Sequence, residues 1–198
     1  MPIAPDAAEQ FAYYKSEYGF GVLAPRGWQC FGLYGANGST LYISPTEIVA
    51  ANLLSTTWNG FPGPAIEIAE RDGDTSGRFE VARAIAHVFP THRAFVDGVI
   101  REGIEPASSF PFGPYPKDKL TYLNKEMVEY QTPANTDGLG TNSRLEKNDD
   151  SISGVAILMG ETPNLLFLSV RLSPNQTGLR STIIRQVERD AAQPAHAE

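Results

Sequence analysis

The sequence predicts an α+β domain: an antiparallel sheet covered by helices, similar to an α-β-α sandwich. Three observations lead there. Short apolar segments with period-two alternation recur along the chain, separated by Gly, Pro and Asn turn signals. Two segments of helical period stand side by side between residues 79 and 100, so strands and helices segregate instead of alternating. The C-terminal third holds a strand pair followed by a stretch with one apolar stripe. The chain has 198 residues, 41% hydrophobic and 20% charged. That fits one domain over 1–198, with flexible ends at about 1–8 and 191–198.

In chain order, residues 6–16 carry alanines and read as one or two helical turns. Tyr18 to Leu23 reads as a strand, Ala24-Pro25-Arg26-Gly27 as a turn, and Trp28 to Tyr34 as a second strand. Asn37-Gly38 is a hairpin signal, and Thr40 to Ser44 returns with Leu41 and Ile43 on one face. Ser44-Pro45-Thr46-Glu47 has the pattern of a capping box, which predicts a helix through Leu54. The Pro- and Gly-rich segment 58–64 breaks regular structure, and Ala65 to Ala69 is a strand with Ile66 and Ile68 in alternation. Phe79, Ala82, Ile85, Ala86 and Phe89 mark a helix stopped by Pro90; a second, from Thr91, ends at Gly103. Four prolines make 105–116 an extended loop. Lys119 to Asn124 and Met127 to Gln131 read as strands, and polar 133–150 as a mobile loop. Val155 to Met159 and Leu165 to Leu172 form a hairpin in which Leu166, Leu168, Val170 and Leu172 face the core. Leu165 and Phe167 then need a second cover. The last helix opens at Ser173-Pro174 and carries Leu179, Ile183 and Val187 on one stripe.

The formal net charge is -7. Such a surface repels phosphate backbones, so nucleic acid is not an expected partner, and a protein or a small ligand is. No apolar run approaches the roughly 18–20 residues a membrane-spanning helix needs. The single cysteine, Cys30, excludes an internal disulfide; its place mid-strand beside Phe31 predicts a buried thiol. The opening residues lack the basic and apolar regions of a signal peptide. The balance of Arg over Lys and the frequent Gly, Pro, Ser, Thr and Asn lean towards a periplasmic or secreted protein, with a cytoplasmic one as the alternative.

Two segments resemble a known family. Tyr18 to Trp28, an aromatic strand running into Pro25-Arg26-Gly27-Trp28, resembles the opening of PsbP-like domains. The ending, strand 165–172 followed by a helix from Pro174, is similar too. The likeness covers about a quarter of the chain. It implies an α-β-α sandwich and a non-enzymatic accessory role, and it carries over no functional residue.

The catalytic motifs fail on context. Asp74-Thr75-Ser76-Gly77 lacks the spacing of an aspartic-protease loop, and prolines keep Tyr115 and Lys119 off a common helical face. His87, His92 and His196 have no metal-ligand spacing, no serine sits in a Gly-x-Ser-x-Gly elbow, and Cys30 with His87 or His92 is a weak nucleophile–base pair. Asp72-Gly73-Asp74-Thr75-Ser76-Gly77 matches the first half of a calcium loop, with Asp72, Asp74 and Ser76 as ligands. However, Arg83 stands where the bidentate acid belongs, so a polar turn that caps the next helix is the simpler reading.

The stiff aromatic loops are the candidate recognition elements: Trp58 and Phe61 in one, Phe110, Phe112 and Tyr115 in the other. The alternative is that they fold back as cover for the sheet. The sequence thus predicts a non-catalytic binding or accessory protein that engages a protein or a cell-envelope ligand through these loops. Two alternatives stand beside it: a hydrolase whose site gathers scattered polar residues such as Arg26, Asp72, Asp74 and His87, and an acidic inhibitor or immunity-type protein. A cleft where titratable side chains converge would favour the hydrolase, and a flat or grooved aromatic patch the binding protein.

Overall fold

The computed structural model describes residues 9–193. The elements are β1 (Phe11–Tyr14), β2 (Val22–Pro25), β3 (Gln29–Gly35), β4 (Gly38–Ser44), α1 (Ala50–Leu53), β5 (Ala65–Arg71), α2 (Arg78–Val88), α3 (Arg93–Arg101), β6 (Lys119–Tyr122), β7 (Met127–Thr132), β8 (Ile152–Met159), β9 (Asn164–Arg171) and α4 (Arg180–Ala191). Short 3-10 turns at Pro90–His92, Ala107–Ser109, Leu139–Asn142 and Pro174–Leu179 complete the path. No helix among the described residues is long and apolar enough to cross a membrane.

Seven strands form one sheet in the order β3-β4-β5-β9-β8-β7-β6, and β1 and β2 pair separately. Every neighbouring pair is antiparallel. The large sheet is two meanders joined at its middle. The first runs β3-β4-β5; the second runs β6 to β9 and closes with β9 against β5, from Ala65 opposite Arg171 to Arg71 opposite Leu165. The chain between the meanders supplies α2 and α3.

Alternation sends the two sides of each strand to different cores. On one face, Leu41, Ile43, Ile66, Ile68, Leu168 and Val170 pack with Ile183 and Val187 of α4 and with Phe11 and Val22 of the small sheet. On the other, Val128, Ala156, Leu165 and Phe167 lie under Val81, Ile85 and Val96 of α2 and α3. The cover anticipated for Leu165 and Phe167 is therefore the pair α2–α3. Further along that face Tyr42, Ala65 and Ile152 are buried by Leu53, Phe61 and Leu145. Between these two clusters the face turns polar. One cross-strand row runs Tyr42, Glu67, Ser169, Gly154, Tyr130. Gly154 is required there: a Cβ would stand 1.7 Å from the Leu168 carbonyl oxygen and 2.7 Å from the Tyr130 hydroxyl. Across that gap Tyr130 donates to Leu168 O at 2.9 Å and meets Ser169 Oγ at 2.7 Å.

Several local expectations change. The part of 6–16 that is described holds strand β1 in place of helical turns, and residues 6–8 lie outside the described residues. The strand expected at Tyr18 to Leu23 lies at Val22–Pro25. The β3–β4 turn is Ala36-Asn37, with Gly38 already paired to Gly35. Ser44 caps no helix: its Oγ accepts from the Thr46 amide at 3.2 Å, and only the single turn α1 follows, from Ala50. Cys30 is exposed, because β3 is an edge strand and its pattern is mostly open. Of the expected flexible ends 1–8 and 191–198, residues 1–8 and 194–198 lie outside the described residues, and α4 runs through Ala191.

The polar stretch 133–150 is pinned at many points. Asp118 accepts from Thr132 Oγ1 at 2.7 Å and from the Leu139 amide at 2.8 Å. Phe61 N donates to Arg144 O at 2.7 Å and Glu146 N to Phe61 O at 3.0 Å, a short parallel bridge across the sheet face. The side chain of Arg171, at 0% exposure, holds this bridge from below. Its guanidinium donates to the carbonyls of Phe61, Gly63 and Glu146. Irregular backbone crossing a buried face leaves acceptors without ladder partners, and a planar fork of donors satisfies several together. Arg171→Met should therefore orphan buried carbonyls and cost about 3–5 kcal/mol. Chemical denaturation measures the loss, and limited proteolysis should find the new cleavage sites within 58–64 and 140–150.

Candidate functional site

The polar end of the α2-covered face opens into a cleft. Two adjoining cavities, of about 330 Å³ and 490 Å³, share Glu67, Arg71, Glu80 and Asn142 in their walls. The smaller lies towards α2, over Ala69, Leu165 and Phe167. The larger lies towards β3 and β4, over Leu33, Thr40 and Tyr42, with Ser143 and Arg144 closing one side. Volumes of a few hundred Å³ match those of small-molecule sites.

Glu67 is the floor. It sits mid-strand in β5 between Ile66 and Ile68, so alternation that buries both isoleucines on the α4 face turns the carboxyl into the cleft. The residue is 5% exposed. Its Oε2 accepts from the Arg144 amide at 2.6 Å, while Oε1 makes no hydrogen bond to the described residues. Burial pushes its pKa up to about 7, against the stabilising amide and the charges of Arg71 and Arg144; Glu80 adds a small push upward. Tyr42, its direct cross-strand partner, is also driven upward, by burial and then by the Glu67 charge.

The neighbouring charges are largely committed. Arg71 donates to Glu80 at 2.5 Å, to Ser39 O at 2.8 Å and to Thr40 Oγ1 at 3.0 Å. Arg83 is paired with Glu105 at 2.6 Å. These pairs fix the walls and leave the second oxygen of Glu67 as the unpartnered polar atom of the floor. The arrangement can exchange a proton near neutral pH and can take one hydrogen bond from a guest.

The aromatic candidates do not converge. Phe61 and Phe110, at 6% and 1% exposure, belong to the core and present no surface to a partner. Phe61 lies tilted against Tyr42 at 5.7 Å and meets Trp58 edge-on at 5.0 Å, so Trp58 is partly buried with it. Phe110 is packed beneath α2 and α3. Folding back covers the sheet face that would otherwise be bare, which outweighs display in water. Phe112 is exposed, under the guanidinium of Arg93 at 4.0 Å. Tyr115 stacks on His87 at 4.2 Å and donates to Asn142 Oδ1 at 3.1 Å, which ties the proline-rich loop to the cleft rim.

The remaining candidates fall elsewhere. In the Asp72–Gly77 loop the Asp72 carbonyl accepts from Thr75 N, and Gly73 N is held by Asn164 at 2.8 Å. Asp72, Asp74 and Ser76 are joined by no further ligand: no cluster of three His, Cys, Asp or Glu suits a metal among the described residues. Glu80, in the first turn of α2 just after the loop, is turned across to Arg71. Cys30 lies on the β3 edge. Cys30 lies opposite Ile43 and so faces the α4 side, whereas His87 is on α2 across the sheet, held by Gly113 O and Tyr115, so they form no dyad. Arg26 is bound to Glu9 O, remote from both. Sequence reasoning missed Glu67 and Arg71. The available signal was the acid at the centre of the apolar alternation Ala65-Ile66-Glu67-Ile68-Ala69.

The raised Glu67 pKa fixes a sign. Between about 4.5 and 7 the folded state keeps a proton that the unfolded state has released, so this group's contribution falls as pH rises through that window. Glu67→Gln keeps the acceptor for Arg144 and removes the titration. The variant should therefore gain on the parent by up to about 3 kcal/mol between pH 5 and pH 8, read by urea melts at each pH. Glu188, also raised to about 7, slopes the same way in both proteins and cancels from the difference.

The aromatic loops give a second test. Phe110→Ala should cost about 3–5 kcal/mol as a core cavity, and Phe112→Ala less than about 1 kcal/mol. Equal losses in denaturation would contradict the assignment of one to the core and the other to the surface.

The chain matches no family model, no curated protein and no solved structure, so the reading of the cleft rests on its own geometry.

Proposed function

We propose that this chain is a non-catalytic binding protein that takes a small, neutral, hydrogen-bond-donating ligand into the sheet-face cleft, with Glu67 as the recognising group. The observation that carries this reading is the buried carboxyl of Glu67, one oxygen held by the Arg144 amide and the other unpartnered at the floor of a ligand-sized cavity. The committed pairs Arg71–Glu80 and Arg83–Glu105 favour a neutral guest over a strongly charged one. Apolar walls at Phe167 and Leu165, or at Leu33 and Leu53, would hold its body. Recognition thus moves from the aromatic loops to the cleft they border. The layering, with α4 on one face and α2–α3 on the other, supports the finer description of an α-β-α sandwich, and with it the accessory role that the PsbP-like opening implies.

One observation favours a second reading. A carboxyl poised near pH 7 in a cleft is what general acid–base catalysis requires. Against it, the hydroxyls nearby have other duties: Ser143 donates to Gly140 O at 2.6 Å, and Thr40 accepts from Arg71.

A screen of neutral amides and polyols by ligand-observed NMR tests the proposal. Affinity for a hit should rise with pH through about 7, as Glu67 ionises beside Tyr42, Arg71, Glu80 and Arg144. Glu67→Gln should flatten that dependence and weaken binding about tenfold, and Phe112→Ala should leave it unchanged. Hits that bind the Gln variant equally well at every pH would refute the cleft reading. Conversion of a hit by the parent, lost in the variant, would establish the enzymatic one.

A further inference from the structure

A second cavity, of about 400 Å³, lies on the opposite face of the sheet, between the start of α4 and the strands β6 and β7. Its composition differs from that of the cleft. Lys119, Arg180 and Arg185 all line it, and hydroxyls of Thr121, Ser153 and Ser181 stand among them. The fold brings them together by simple periodicity. Lys119 and Thr121 are alternate residues of β6 and share a face with Gln131 and Glu129, their partners on β7; Ser153 lies opposite Gln131 on β8. Arg180 with Ser181, and Ile184 with Arg185, are successive turns of one α4 stripe.

In a chain of net charge -7, three cations converge on this one cavity. Arg71, Arg78, Arg83 and Arg93 each hold a carboxylate. Among the described residues Lys119, Arg180 and Arg185 take part in no ion pair within 4.0 Å. The Nε of Arg180 is buried and has no hydrogen-bond partner among the described residues. An ionised donor left buried and unsatisfied is costly, and an acceptor in the cavity would relieve it. Two acids are near, Glu129 in the wall and Glu188 one turn further along α4. They face each other, and burial first, then Glu129, raise the Glu188 carboxyl, whose Oε1 has no hydrogen-bond partner among the described residues. Two acids, one of them with its carboxyl raised, offset only part of three positive charges.

We propose that this cavity binds the phosphate group of a small phosphorylated molecule. Three cations converging from two elements, with hydroxyl donors between them, suit a tetrahedral oxyanion better than a planar carboxylate. The cavity also exceeds a bare phosphate ion in volume, which leaves room for an organic portion beside Gln131 and Ile184.

Amide-resolved NMR titration at low ionic strength, with inorganic phosphate, ribose 5-phosphate and acetate as separate probes, tests the site. Both phosphates should shift Ser153, Ser181 and Arg185, and acetate should not. Tighter binding of ribose 5-phosphate than of inorganic phosphate would identify an ester site; the reverse order would identify a site for the free ion. Arg180→Gln and Lys119→Gln, on separate elements, should each weaken binding about tenfold. Glu129→Gln removes a competing negative charge and should tighten it severalfold, an effect that structural damage does not produce. Absence of phosphate shifts in the parent, or unchanged affinity in the Arg180 and Lys119 variants, would overturn the proposal.

Discussion

The guanidinium of Arg171 is the interaction on which the rest of the site-bearing face depends. It is fully buried and answers to no carboxylate; its partners are the carbonyls of Phe61, Gly63 and Glu146. Burial lowers its pKa, so the protein holds a charge there at a cost. What offsets that cost is the backbone it satisfies. Two irregular segments cross the sheet face side by side at Phe61 and Leu145, and their outward acceptors have no strand to pair with. Without a donor from beneath, they would have to rise into water and uncover Tyr42, Ala65 and Ile152.

Glu67 completes the same device with the opposite sign. It lies on the same face one strand over from Arg171, and it accepts the Arg144 amide just before the carbonyl that Arg171 takes from Glu146. One short segment, 144–146, is therefore held by a cation at its carbonyl and by an acid at its amide. The wall of the cleft and the floor of the cleft are one construction. Ionisation of Glu67 strengthens its hold on the Arg144 amide, because a charged acceptor makes the stronger bond, while it raises the desolvation cost. The balance of these two effects keeps the carboxyl near neutrality, and a guest at Oε1 would shift that balance.

The sequence carried the sheet and lost the cleft, for one physical reason. Period-two alternation in β9 was legible down to the faces of Leu166 and Phe167, and the spacing of Phe79 to Phe89 located α2, because both patterns are local. The pinned state of 133–150 was not legible. Its polar, glycine-bearing composition is that of a mobile loop, and the groups that order it are distant: Glu67, 77 residues from Arg144, and Arg171, 25 from Glu146. Phe61 and Phe110 were misjudged for a related reason. A Pro- and Gly-rich loop reads as surface, whereas here it supplies the lid of a sheet whose helices are too short to cover it. Glu67 and Arg171 were each visible as a charge inside an apolar alternation. Such a residue marks either an exposed face or a buried polar network, and only the path of the neighbouring loops decides which.

The same reasoning separates the two faces of the sheet. On the α2 side nearly every charge is spent internally: Arg71 on Glu80, Arg83 on Glu105, Arg171 on backbone carbonyls. What remains for a ligand is the second oxygen of Glu67, the Arg144 side chain in the larger cavity and apolar walls, so selectivity there would come from shape and from few polar groups. On the α4 side the cations are left unspent, although the chain has more acids than bases. The acids on α4 and β7 are Glu129, Glu188 and Asp190, against Arg180, Arg185 and Arg189 on the same helix, and Asp190 already accepts from Gln186. What sets this face apart is convergence, three cations on one cavity with the Arg180 Nε buried and unsatisfied among the described residues, whereas the committed charges of the α2 side are explained by the backbone they organise.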